Sequence, residues 1–187
     1  MARLTIAVSV LLFASTFASL ANDNILCSNL ESISVSAHQL EGLWLSLEYY
    51  KASQPSTDYC TLVDDKALSS NRVEAHTLIY SNGSLVANFT ADFVADGNRW
   101  NFQFTNKQQQ LLVASVDPQK YITEVVCDTP EDPSQSKVLY STTFRRVGVI
   151  LSEEIVNKLR EDVKSLLGLQ DLGNIYESPT YCEPKLD

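Results

Sequence analysis

Apolar and polar residues alternate through most of the chain in short runs separated by polar turns, the period-two pattern of half-buried strands. Such runs fall at residues 44–50, 59–63, 73–80, 85–93, 99–104, 111–116, 121–127 and 137–144. Asn82-Gly83 stands between the third and fourth runs; this dipeptide tolerates the positive φ that a two-residue hairpin turn requires. Asp96-Gly97-Asn98 supplies a second turn, and polar breakers occupy 54–58, 106–110 and 128–136. Eight strands at such regular spacing predict an all-β antiparallel sandwich or barrel.

The period then changes from two to between three and four. Val156, Leu159, Val163 and Leu166 form one apolar stripe, which predicts a single amphipathic helix. Ser152 is positioned to cap its start, Glu153 and Glu154 favour the positive end of its dipole, and Gly168 fits its end. After eight strands, such a helix packs on the outer wall of the sheet.

Strand parity separates inside from outside. Asn82-Gly83-Ser84 and Asn88-Phe89-Thr90 are N-glycosylation acceptor sequences, and a glycan must face solvent. With Asn88 outward, Ala87, Phe89, Ala91 and Phe93 turn inward. On the following strand Trp100, Phe102 and Phe104 share one face, with Asn101 and Gln103 on the other. These rings either fill a core or line a cavity. A closed eight-stranded barrel accommodates both, and the alanines between the rings leave room that favours a cavity. Phe89, Phe93, Trp100, Phe102 and Phe104 are the leading wall candidates. The parity of strands starting at Trp44 and Val138 adds Tyr50, Tyr140 and Glu48, the last of which needs a partner if it is buried.

The first 21 residues do not join this pattern. Arg3 precedes an apolar stretch over 4–17, and Ser19-Leu20-Ala21 fits a small-x-small cleavage site. Residues 1–21 read as a secretory signal peptide, leaving a single domain over 22–187. The 187-residue chain has 44% apolar residues, enough for one core, and a formal charge of −9, which repels phosphate backbones. A nucleic-acid partner is therefore not expected, nor is a transmembrane segment, since no later stretch is long and apolar enough. Protein partners are not specified. In an oxidising compartment Cys27, Cys60, Cys127 and Cys182 form two disulfides in any of three pairings. That leaves no thiol for catalysis.

Several motifs resemble those of the lipocalins. Gly42-Leu43-Trp44 is similar to the family's Gly-x-Trp at the start of the first strand. Asp117-Pro118-Gln119-Lys120-Tyr121 with Cys127 beyond it resembles the second motif, Thr-Asp-Tyr-x-x-Tyr then cysteine. Val116 and Pro118 replace its threonine and first tyrosine. Arg145-Arg146 stands where the third motif places an arginine before the helix. Residues 151–159, together with Cys182 and the following Pro184-Lys185-Leu186, resemble the apolipoprotein D-like and insect bilin-binding subgroup.

The resemblance implies an eight-stranded antiparallel up-and-down barrel, closed at one end and open at the other, with the C-terminal helix outside. It implies disulfides Cys27–Cys127 and Cys60–Cys182, and Trp44 at the closed end under Arg146 or Arg145. It also implies a secreted carrier of one small hydrophobic ligand such as a fatty acid, sterol, retinoid or bilin, with no required cofactor and no metal. Two other classes compete: a secreted protein that acts through its surface, and a lipid-modifying enzyme. The enzyme has little support. His38 and His76 are too separated to suggest a pair, Asp64-Asp65 fits a turn, and no Gly-x-Ser-x-Gly, His-Glu-x-x-His or phosphate-binding loop occurs.

Overall fold

The computed structural model describes residues 25–51 and 58–182. The expected signal peptide over 1–21, the turn residues 54–57 and Pro184-Lys185-Leu186 lie outside the described residues. A short helix, α1 (Ala37–Leu40), leads into β1 (Gly42–Tyr50), β2 (Tyr59–Ser69), β3 (Arg72–Ser81) and β4 (Ser84–Asp96). β5 (Arg99–Phe104), β6 (Lys107–Asp117), β7 (Tyr121–Asp128) and β8 (Val138–Arg146) follow, then α2 (Glu153–Leu167) and β9 (Ile175–Glu177).

Each of the first seven strands pairs antiparallel with the next, and β1 pairs with both β8 and β2, so the sheet closes into an eight-stranded barrel. Asn82 and Gly83 both take positive φ at the β3–β4 turn, as that dipeptide requires. The strands run further than the apolar alternation alone indicates. β2 extends to Ser69 and carries Asp64 and Asp65 in mid-strand, opposite His76 and Ala75. The expected turn at Asp64-Asp65 is thus corrected: the ladder to β3 continues through both carboxylates. The break expected over 106–110 also shrinks, because Thr105 and Asn106 take positive φ and β6 begins at Lys107.

β1 shares one of its edges. Residues 42–45 pair with β2, whereas Glu48–Tyr50 pair with β9. Its register with β8 shifts between Ser46 and Glu48, a β-bulge that reverses which face later side chains meet. α2 starts where Ser152 accepts a hydrogen bond from the Ile155 N–H and ends at Gly168 in the left-handed conformation. Its Val163 and Leu167 join Leu112, Val125 and Cys127 in a layer on the outside of β6 and β7. There the barrel wall is apolar on both faces.

Candidate functional site

The closed end is built around Trp44, which is only 1% exposed. Its indole N–H donates to the Leu40 carbonyl at 2.6 Å, and the Arg146 guanidinium lies 3.7 Å from the ring centroid. Arg146 is held in turn by donating from Nε to the Pro118 carbonyl at 2.8 Å. Gly42 (φ +123°) permits this arrangement, because a Cβ there would collide with Arg146 Nη1. Asp117 closes the β6–β7 turn by accepting from the Gln119 N–H at 3.1 Å, and Tyr121 opposite Arg145 begins β7. Arg145 does not cover the indole; it donates to the Val149 carbonyl at 3.0 Å.

Above this floor lies a cavity of about 350 Å³, within the size range of small-ligand sites. On β4 and β5, Phe89 lies 4.7 Å from Phe104 and Phe93 stacks 4.5 Å from Phe102, and all four rings line the cavity. Tyr140 lines it as well; Tyr50 borders it but, beyond the β1 bulge, is buried in the outer layer with Val125 and Val163. Tyr140 is 41% exposed overall, yet burial of its phenol and the charge of Glu124 push its pKa well above the ordinary range.

Two wall candidates sit elsewhere. Trp100 does not line the cavity. It faces inward but lies opposite Ala95, beside the β4–β5 turn, and is fully buried in the filled core. Glu48 is turned out of the barrel by the bulge. It is 3% exposed and ion-paired with Arg160 of α2, which also donates to Glu177 at 2.6 Å.

The sequence reading overlooked two cavity acids, Asp65 and Glu124. Burial raises the Asp65 carboxyl well above the usual carboxylate range; Glu124 and Asp64 add to the rise and Arg146 opposes it. Burial holds Glu124 up at about 7. Glu124 shares its parity with Ile122 and Val126, both buried and both cavity-lining.

The disulfides are Cys27–Cys127 and Cys60–Cys182, with Cα separations of 6.2 and 6.1 Å. Asn82 and Asn88 are exposed, the first in the hairpin turn and the second on the outer face of β4, where its Oδ1 lies 2.8 Å from His76 Nε2. His38 is exposed on α1, 3.5 Å from Glu41. No helix among the described residues is long and apolar enough to cross a membrane.

Comparison with solved structures gives this architecture a family name. Insecticyanin from the tobacco hornworm Manduca sexta superposes with a TM-score of 0.60 and 12% identity, over 80% of this chain and 84% of that one. Lobster apocrustacyanin A1 gives 0.57 and 12%, over 75% and 77%. The siderocalin Ex-FABP gives 0.57 and 10%, over 75% and 94%. No protein-family model and no curated protein matches the sequence. The fold is that of the lipocalins.

Proposed function

We propose that this chain is a secreted lipocalin that carries one small hydrophobic molecule in its barrel. The observation that carries the reading is the cavity, in which four phenylalanine rings face an unfilled volume instead of packing it solid. A lipophile burying about 300 Å² of apolar surface there gains roughly 7 kcal/mol before the cost of association. The siderocalin, described as acting through dual ligand specificities, supports a binding role for such a barrel. Residues 1–21 are the export signal and 22–187 the mature domain; the two disulfides fit an oxidising destination. Asn82 and Asn88 are the glycan acceptors. Phe89, Phe93, Phe102 and Phe104 form the ligand wall, with Tyr140 toward its polar side.

Trp44 is the reporter for a test, since it lines the cavity floor whereas Trp100 does not. Titration with a fatty acid, a retinoid, a sterol and biliverdin is expected to change Trp44 emission saturably, at one site, for at least one of them. Flat traces with all four, in a protein whose native material yields no extractable lipophile, would sink the carrier and favour action through the surface.

A further inference from the structure

We infer that the guest is an amphiphile whose polar end is a protonated amine, seated against Glu124 and Asp65 with its apolar body on the phenylalanine wall. This deepens the carrier reading and rests on it. The cavity has two unlike sides. In the closed ring of strands, β4 and β5 stand across from β8 and β1, and the four phenylalanines belong to the first pair. Facing them, Glu124, Thr142 and Tyr49 lie in one row across β7, β8 and β1, each opposite the next in register. All three line the cavity. The bulge in β1 is what brings Tyr49 inward and sends Glu48 to Arg160.

Among the described residues this polar side holds two carboxyls and several hydroxyls, which donate or accept, but no cation beside the carboxyls. Asp65 is 9% exposed, faces the cavity, and among the described residues its carboxyl takes no hydrogen bond and forms no ion pair. Glu124 likewise lacks a hydrogen-bonded side-chain partner among the described residues. The charged and titratable groups around the pair are Asp64 on the same strand as Asp65, Arg146 across the floor and Tyr140 beside Glu124. Arg146 is committed to Trp44 and Pro118. Among the described residues Lys51 is the one cationic side chain lining the cavity, and it is exposed.

A carboxylate guest would therefore meet two acids inside and find a cation in Lys51 alone, whereas an ammonium brings positive charge and up to three donors to two carboxyls and the hydroxyl oxygens beside them. A Glu124 carboxyl that titrates near neutrality stays uncharged in the empty barrel at little cost and ionises when a cation arrives.

The test is a matched series with one apolar body: decylamine, decanol and decanoate, each titrated into the mature protein at pH 7.5 with Trp44 emission as the readout. Decylamine is expected to bind at one site about tenfold or more tighter than decanol, the return for hydrogen bonds to a charged group, with decanoate weakest. In Glu124→Gln and in Asp65→Asn the ratio of amine to alcohol affinity is expected to fall toward one. Decanoate binding as tightly as decylamine would overturn the inference, as would a preference undiminished in both variants, or amine binding that leaves Trp44 emission untouched. Decanol binding without an amine advantage removes the head-group assignment and leaves the carrier standing. Absence of binding by all three removes both.

Discussion

The Arg146 guanidinium carbon lies over the Trp44 indole, 3.7 Å from its centroid, in space that the missing side chain of Gly42 leaves open. Residues at three separated positions thus form one closure at the bottom of the barrel. Gly42→Ala is expected to destabilise by about 2–3 kcal/mol, from the positive φ and the displaced guanidinium together. Arg146→Met, which keeps a stem but loses the cation, should cost about 1–2 kcal/mol. Urea unfolding measures both, and a neutral Gly42→Ala would contradict the account of the closure.

Arg160 neutralises a carboxylate that is almost fully enclosed under α2. Removing it in Arg160→Ala strands Glu48, at an expected cost of about 2–4 kcal/mol. Glu48→Gln in the same background should recover part of that loss. The double-mutant cycle is therefore expected to show clear coupling; simple additivity would mean the pair does not hold the helix to the barrel.

Glu124 sets a pH dependence whose sign is fixed by its raised pKa. Its ordinary value is 4.5 and its folded value about 7, so between those limits the folded state holds more protons than the unfolded one. Its contribution is most favourable below pH 4.5 and declines as pH rises through 7. Asp65 shifts in the same direction, chiefly through burial. Glu124→Gln is accordingly expected to be more stable than the parent by roughly 2 kcal/mol at pH 8, and indistinguishable from it at pH 4. Thermal melts of the two proteins across that range check it; a constant difference would show that Glu124 does not titrate as described.

The two disulfides bracket different parts of the molecule. Cys27–Cys127 lies in the layer beneath α2, and Cys60–Cys182 ties the start of β2 to the C-terminal segment. Each spans 100 residues or more, so the paired Cys60→Ala/Cys182→Ala variant should lose about 2–4 kcal/mol. The measurement is the denaturation midpoint under non-reducing conditions, and an unchanged midpoint would show that the crosslink adds nothing to the closed ring.

The barrel was legible in the sequence because its turns are chemically distinctive and one face of most strands is wet. Asn82-Gly83 marked one hairpin, and Asn88 with Phe89 marked the sides of β4. The cavity acids were hidden for the opposite reason. On β7, α2 covers the outer face, so Val125 and Cys127 are as buried as Ile122 and Val126, and alternation no longer tells in from out around Glu124. Glu48 was placed on the inner side because a bulge has no composition of its own and shifts parity by one residue. Trp100 has the right parity but sits by a turn at the filled end; parity assigns a face and not a depth. β9, three residues long, carries too few positions to show a period.

That division of the β1 edge has a bearing on size selection. Past Leu45 no backbone ladder joins β1 to β2; β9 occupies the place instead. Toward the rim, β1 is bordered by a three-residue strand from the C-terminal segment, while at the base main-chain bonds lace it to β2 and set the bore.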